Sequence, residues 1–230
     1  MQCCAFDIHY SEAHDKMSPE GWRLWVSSLL HVAIGGCVWF ATRCSSFSWM
    51  SRYVTKRSRE RPWGKGSVQA VRDGNAQVMR LALQMILAHF LEIHFIVEQP
   101  MGSILNYMPP VEAALDCTDA DVVVTWLGSF GAKTPKPLKL MGSAPFLSEL
   151  RRTRPNLKSL TGRTYFTHFD KKGRRRVTGL TATMESSSAY PRAFGEVFAE
   201  AFKNFVVSTG VVVTPDEGFG AATAAAETNV

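Results

Sequence analysis

The sequence lacks a cysteine framework. Its five cysteines are an odd number, and no two of them stand at the C-x-x-C spacing of a zinc site. The histidines within apolar segments, His31, His89 and His94, have no second ligand at zinc spacing either. These absences argue against a disulfide-stapled scaffold, predict no metal site and favour a reducing compartment.

The sequence also lacks a clear membrane-spanning or secretory segment. Its first ten residues contain no basic head followed by a long apolar core, so we expect no secretory signal. The most apolar stretch, Leu24 to Ala41, includes His31 and the Gly35-Gly36 pair, which favour a helix, a turn and a buried strand over a membrane span. We expect an intracellular protein, compatible with a nuclear location, and keep a membrane-associated protein as a weaker alternative.

Acidic residues are fewer than basic ones, with 20 Asp and Glu against 26 Lys and Arg and a formal charge of +6. The basic residues concentrate in three clusters: Arg52, Lys56, Arg57, Arg59, Arg61 and Lys65; Arg151, Arg152 and Arg154; and Lys171, Lys172, Arg174, Arg175 and Arg176. Such clusters favour a polyanionic partner, because lysine and arginine contact phosphates, although solvated loops show the same pattern.

Strand and helix patterns alternate over the first half of the chain. The predicted elements are a strand from Cys4 to Ile8, a helix from Pro19 to Val32, a strand from Cys37 to Ala41, a helix within Ser67 to Ile93 and a strand from His94 to Val97. This alternation predicts an α/β fold with a doubly wound, mostly parallel sheet.

The second half of the chain has a more antiparallel pattern. It predicts a strand from Asp121 to Leu127, a hairpin from Arg163 to Phe169 and Arg174 to Thr178, and an amphipathic helix from Ala189 to Val207. Pro135 and Pro137 restrict strand pairing to the last residues of the segment Lys133 to Met141. We therefore expect one α/β domain over residues 1–209 and a flexible tail over residues 210–230.

A thiol and a carboxylate follow two of the predicted strands. Cys44 comes shortly after the strand Cys37 to Ala41, and Glu98 comes directly after the strand His94 to Val97. Because the carboxyl ends of parallel strands open onto the crevice where ligands bind, we expect these two side chains to converge on one cleft. A buried structural thiol and a helix-capping acid are the alternative interpretation.

The order of these motifs resembles that of divergent C5-cytosine DNA methyltransferases. Phe6-Asp7-Ile8 resembles the strand whose terminal acid holds the ribose or adenine of the cofactor. Arg43 to Ser48 resembles the nucleophile loop, and Glu98-Gln99-Pro100 resembles the turn that grips the target base. Gly128 to Leu140 lies where the family has a strand and a basic loop near DNA. The resemblance implies a Rossmann-like sheet of the methyltransferase type that is incomplete at its N-terminus.

The resemblance also implies a role for each candidate residue. Cys44 would be the nucleophile that adds to C6 of cytosine, and Glu98 would hydrogen-bond N3 to stabilise the developing charge. Asp7 would bind S-adenosylmethionine, the methyl donor. The residues expected to contact nucleic acid are Arg52, Lys56, Arg57, Arg59, Arg61, Lys136 and Lys139.

The sequence departs from the family pattern in four places, one of which is that Lys136 and Lys139 replace the paired arginines that follow the last central strand. Arg43 stands where the family has proline, Gln99 stands where it has asparagine, and no glycine-rich loop follows the strand that ends at Asp7. Two functions therefore stay open. One is a methyltransferase that acts on a base in DNA or RNA, and the other is a catalytically inactive domain that binds nucleic acid.

Overall fold

The computed structural model describes residues 5–7, 10–160, 162, 165–179 and 189–210. Within these ranges the helices are α1 (Pro19–Leu30), α2 (Arg52–Thr55), α3 (Gln69–Phe90), α4 (Pro109–Cys117) and α5 (Arg192–Thr209). The strands are β1 (Cys37–Phe40), β2 (His94–Pro100), β3 (Asp121–Trp126), β4 (Pro137–Gly142), β5 (Tyr165–Phe169) and β6 (Arg175–Gly179). Short 3₁₀ turns connect several of them.

The central sheet has four strands in the order β1-β2-β4-β3, and β5 pairs with β6 in a separate hairpin. Only the β1/β2 pair is parallel, whereas β4 is antiparallel to both of its neighbours. The prediction of a doubly wound, mostly parallel sheet is therefore wrong. The connection from β3 to β4 is too short for a crossover helix, and Leu127 N donates to Lys136 O across it at 3.2 Å.

Strand β4 confirms that pairing is restricted to the last residues of the segment Lys133 to Met141. β4 begins at Pro137 and pairs along its whole length with β3. Proline is tolerated at the first position of a strand because few ladder bonds need its missing N–H. The carbonyl of Pro137 accepts a hydrogen bond from Met101 N at 3.0 Å, which ties the end of β2 to the start of β4.

The predicted first strand is absent from the part of Cys4 to Ile8 that the structure describes. Ala5 to Asp7 have no regular secondary structure, and the ring of Phe6 stacks on that of His14 at 4.3 Å. The expected tail lies outside the described residues, apart from Gly210 at the end of α5.

The apolar stretch from Leu24 to Ala41 forms the end of α1, a turn and β1, as its composition predicted. Ser18 caps α1 by accepting from Gly21 N at 2.9 Å, and Pro19 occupies the first turn. Across the described ranges, no helix combines the length and the apolar character that a bilayer crossing requires.

The sheet lies between two layers of apolar side chains. On one side, α1, α3 and α4 cover Phe95 and Val97 of β2. On the other side, α5 covers Ile96 together with Leu140 of β4. Because successive strand residues point to opposite faces, Glu98 lies on the α5 side and Gln99 on the α3 side.

Candidate functional site

Cys44 lies in a tight turn shortly after β1. Its carbonyl accepts hydrogen bonds from the backbone N–H groups of Phe47 and Ser48, each at 2.9 Å. The Phe47 side chain is fully buried and its carbonyl accepts from Ile104 N at 3.1 Å. These contacts hold the half-buried Cys44 thiol in a fixed place beside the carboxyl end of β1.

Gln99 fixes the approach to this turn from the neighbouring strand. Its side chain is 1% exposed, and its amide Nε2 donates to the carbonyl of Thr42 at 2.7 Å. Its Oε1 accepts from the hydroxyl of Ser103 at 2.8 Å. A buried amide with both ends bonded holds the loop that carries Cys44 close to the end of β2.

Glu98, Lys136 and Tyr190 come together with Cys44 on the α5 side of the sheet. The charges of Glu98 and Lys136 both act on the thiol of Cys44. The phenol of Tyr190 donates to the Glu98 carboxylate and accepts from Trp39 Nε1 at 3.4 Å. We call Cys44, Glu98, Lys136 and Tyr190 the polar cluster.

Burial and mutual charge shift every pKa in the polar cluster. Burial raises the pKa of the Cys44 thiol, and the nearby Glu98 raises it further against the opposing effect of Lys136. Burial also raises the pKa of Glu98, although Lys136 and the Tyr190 hydrogen bond oppose the change. Burial lowers the pKa of Lys136, against the effects of Glu98 and Cys44. Shifted groups that act on one another in this way are typical of functional sites and also of structural ion pairs.

Lys136 has an unusual backbone conformation. Its φ is 28°, which is rare for a residue with a side chain, and it stands between Pro135 and Pro137. Such a conformation costs on the order of 1–3 kcal/mol and persists only where the surrounding structure enforces it. The Lys136 ammonium lies 5.8 Å from the centre of the Tyr190 ring, so this strained turn directs it into the polar cluster.

Arg57 is not available for contact with nucleic acid. Its side chain is 2% exposed, and burial lowers its pKa to about 10. The guanidinium donates to Ser46 Oγ at 3.0 Å, Val71 O at 3.1 Å and Asn75 Oδ1 at 2.9 Å, and also to Pro62 O. This arginine joins the loop after Cys44 to α3, and its predicted role as a phosphate contact does not agree with its burial.

The approach of α3 to Arg57 depends on a glycine within the helix. A Cβ atom at Gly74 would lie 2.9 Å from Ser46 Oγ and 3.0 Å from Arg57 Nη2. Glycine lowers the helix propensity at position 74, but a larger side chain there would collide with Ser46 and Arg57.

The other basic residues of the same loop, Arg52, Lys56, Arg59 and Arg61, are exposed. The ammonium of Lys56 lies 4.3 Å from the centre of the Tyr53 ring. Exposed Glu60 is the acid among them, and its pKa is lowered by hydrogen bonds from its own backbone and Ser58, and further by Arg59 and Arg52. These four cations remain candidates for phosphate contacts.

Lys139 lies on the opposite side of the sheet from the polar cluster. Its Nζ donates to Asn106 Oδ1 at 2.6 Å and lies 5.7 Å from the centre of the Tyr107 ring. The guanidinium of Arg59 lies 4.6 Å from the same ring centre. Burial lowers the pKa of Lys139, and the charge of Arg59 lowers it further. Lys139 and Arg59 therefore form a pair of cations around one tyrosine, apart from Lys136.

The structure does not bring Asp7, the residue predicted to bind S-adenosylmethionine, into the polar cluster. Exposed Asp7 lies in the segment before α1, where its carbonyl bonds to the His14 ring at 3.0 Å and its charge raises the pKa of Lys16 against the larger, lowering effect of burial. Asp7, the one residue predicted to bind the cofactor, thus lies with His14 and Lys16 and not in the polar cluster, and we derive no methyl-transfer step. Nor is any group of three or more His, Cys, Asp and Glu among the described residues arranged to hold a metal ion.

Two cavities in the described structure lie at the other end of the sheet, near the amino ends of β1 and β2. One has a volume of about 290 Å³ and is lined by Leu30, Ile34 and Phe90. The other has a volume of about 530 Å³ and includes His94 and Phe205. Neither includes a member of the polar cluster, which is a half-buried surface site.

Sequence reasoning missed two members of the arrangement, Trp39 and Tyr190. Trp39 belongs to β1 and its ring meets the Tyr190 ring edge to face at 5.8 Å. Tyr190 stands just before α5, far from Glu98 along the chain. An aromatic residue beside Pro191 at a helix start is common, so no local signal assigned it to the site.

Comparison of the chain with models of known protein families, with curated protein sequences and with solved structures gives no match.

Proposed function

We propose that the protein binds nucleic acid and engages a pyrimidine base at the polar cluster, by chemistry of the cytosine-C5 methyltransferase type. The observation that carries this proposal is that Cys44, which follows β1, and Glu98, near the end of β2, lie close enough for the charge of Glu98 to raise the pKa of the Cys44 thiol. A thiol and a carboxylic acid at one half-buried site are the two groups that such chemistry needs.

The shifted pKa values support a role for each group in the proposed chemistry. The raised pKa of Glu98 favours its acid form, which donates a hydrogen bond to N3 of cytosine. The Cys44 thiolate adds to C6. Burial and the charge of ionised Glu98 raise the Cys44 pKa and so oppose this thiolate, whereas Lys136 favours it; when Glu98 is in its acid form, its opposing charge is absent. The electrons of the C5–C6 double bond move toward N3, which makes C5 nucleophilic.

Nucleic-acid binding is supported by the exposed basic residues of the loop after Cys44 and by the cation pair around Tyr107. Arg52, Arg59 and Arg61 lie in the segment that follows the Cys44 turn. The cations of Lys139 and Arg59 both lie near the Tyr107 ring, and a phosphate oxygen bound between them would reduce the repulsion of their positive charges. Chemistry on a base requires it to leave the stack, and phosphate contacts hold the strand during that step.

Exchange of the hydrogen at C5 of cytosine tests this proposal without a methyl donor. After Cys44 adds to C6, C5 takes a deuteron from D₂O; loss of the original proton and release of the thiolate then restore the cytosine. We expect cytosine-containing oligonucleotides to gain deuterium at C5 in the presence of the protein, as measured by mass spectrometry.

The matched variants are Cys44→Ser and Cys117→Ser, since Cys117 is an exposed cysteine on α4 outside the polar cluster. Cys44→Ser should abolish exchange, and Cys117→Ser should leave it unchanged. Glu98→Gln should slow exchange by about 100-fold or more, because it removes the acid that stabilises the adduct. Equal exchange by the parent and Cys44→Ser would remove Cys44 from the proposal.

The alternative is a nucleic-acid-binding domain without catalysis, and the position of Asp7 favours it. Binding of S-adenosylmethionine, measured by calorimetry, separates the two functions. Heat of binding together with C5 exchange would support a methyltransferase. Oligonucleotide binding with neither heat nor exchange would support the inactive domain.

A further inference from the structure

We propose that the β5–β6 hairpin is a platform for single-stranded nucleic acid and that it guides the strand toward Cys44. This inference rests on the proposed function, because it names the form of nucleic acid that the polar cluster would receive. It is carried by the exposure, the position and the charge of the hairpin.

The aromatic side chains of β5 face solvent. All five residues of β5 are exposed, with Tyr165 and Phe166 each 45% exposed and Phe169 71% exposed. A group of exposed aromatic rings on one element is typical of a surface that binds a partner. Proteins that bind single strands use rings of this kind, because any unpaired base can stack on them.

One face of the hairpin is connected to the loop that carries Cys44. Tyr165 and Phe169 share a face of β5, because side chains alternate along a strand. The Tyr165 ring meets the Trp49 ring edge to face at 5.6 Å. Trp49 is 40% exposed and begins the short helical turn whose N-cap, Ser48, donates its backbone N–H to Cys44 O. An aromatic surface therefore runs from Phe169 through Tyr165 to the residues beside Cys44.

Trp49 is itself fixed against the segment that follows β2. A Cβ atom at Gly102 would lie 2.8 Å from Trp49 Cδ1, so the indole packs directly on the glycine backbone. Gly102 follows the end of β2 at Pro100, so Trp49 lies between the hairpin and the segment that follows the strand bearing Glu98.

The charge of the hairpin matches a phosphate backbone. Lys171 and Lys172 are exposed at its turn, and Asp170 is the one acid in the sequence from Tyr165 to Gly179. The Asp170 carboxylate accepts from the backbone N–H of Lys172 at 2.9 Å and pairs with Arg174 Nε at 3.0 Å. Since Asp170 is engaged within the turn, the surface that the hairpin presents is basic.

Aromatic stacking distinguishes a single strand from a duplex. The faces of bases in a duplex are covered by their neighbours, whereas unpaired bases can lie on Tyr165 and Phe169 while their phosphates meet Lys171 and Lys172. A basic patch without exposed rings would bind both forms through phosphates alone.

Fluorescence anisotropy with the full chain tests the platform, using a labelled cytosine-rich oligonucleotide as a single strand and as the duplex with its complement. We expect the single strand to bind at least about tenfold more tightly than the duplex, as expected for stacking of one or more bases. Phe169→Ala should weaken single-strand binding by about tenfold and change duplex binding little.

The matched control is Phe90→Ala, because Phe90 is 78% exposed and lies at the opposite end of the sheet beside a cavity. It should leave both affinities unchanged. The double variant Lys171→Ala, Lys172→Ala should lower the slope of log affinity against log salt by about 1–2. Tighter or equal binding of the duplex, or equal effects of Phe169→Ala and Phe90→Ala, would overturn the platform.

Failure of the platform and failure of the proposed function give different results. If C5 exchange occurs but the hairpin variants bind normally, the polar cluster is active and the platform is wrong. If the hairpin variants lose single-strand affinity but the parent shows no exchange, the platform holds and the pyrimidine chemistry is wrong.

Discussion

The two sides of the sheet at the end of β2 use charged and polar groups in opposite ways. On the α5 side, Glu98, Lys136 and the Cys44 thiol are half-buried; Glu98 and Lys136 act on the pKa of Cys44, and Glu98 and Cys44 act on the pKa of Lys136. On the α3 side, Gln99 and Arg57 are almost fully buried, with bonded partners for both ends of the amide and for the guanidinium.

This difference separates the residues that stabilise the fold from those that can react. A fully buried group whose donors are all bonded lowers the free energy of the folded state and has no donor left for a ligand. A half-buried group with a shifted pKa remains accessible to a ligand, and its protonation state can change when the ligand binds. Arg57 and Glu98 therefore belong to different classes, although both are charged residues near the same strand end.

The largest expected effect is on stability at Arg57. Arg57→Ala leaves the acceptors of Ser46, Val71 and Asn75 without their donor in a buried place. We expect a loss of about 3 kcal/mol or more in the free energy of unfolding, measured with urea, because hydrogen bonds to a charged group contribute about 1.5–3 kcal/mol each.

Arg61→Ala is the matched control, since Arg61 is exposed in the same loop. Its stability should stay within about 0.5 kcal/mol of the parent. Similar losses of stability for the two variants would contradict the claim that the buried hydrogen bonds of Arg57 stabilise the fold.

A smaller effect is expected at Gln99. Gln99→Met keeps the volume of the side chain but removes the hydrogen bonds to Thr42 O and from Ser103 Oγ. We expect a loss of about 1–3 kcal/mol in the free energy of unfolding because buried partners are left unsatisfied. C5 exchange should slow as well, because the loop before Cys44 loses its tie to β2; exchange at the parent rate would show that Gln99 does not position the loop.

The sequence was sufficient to predict the elements that depend on local patterns. The helix within Ser67 to Ile93 and the strand from Cys37 are confirmed as α3 and β1. The helix follows from the spacing of its apolar residues, and the strand follows from a continuous apolar run after the glycines between α1 and β1. Both signals lie in neighbouring residues of the chain.

Sheet topology and burial depend on contacts that the local sequence does not encode. The insertion of β4 between β2 and β3 is decided by pairing along both of its edges, which the local sequence does not specify. The burial of Arg57 depends on acceptors from α3 that stand 14 and 18 residues further along the chain, outside the basic run in which Arg57 resembled a surface residue. The place of Tyr190 in the polar cluster likewise depends on partners that are distant along the chain, Trp39 and Glu98.

The pKa of the Cys44 thiol, measured by the pH dependence of its alkylation with residue-specific mass spectrometry, tests the central claim most directly. Near the pH at which the thiol ionises, Glu98 carries a negative charge that opposes the thiolate, and Lys136 carries a positive charge that favours it. We therefore expect Glu98→Gln to lower the Cys44 pKa and Lys136→Met to raise it, relative to the parent. A Cys44 pKa unchanged by both substitutions would contradict the account, because the three groups would then not share one site.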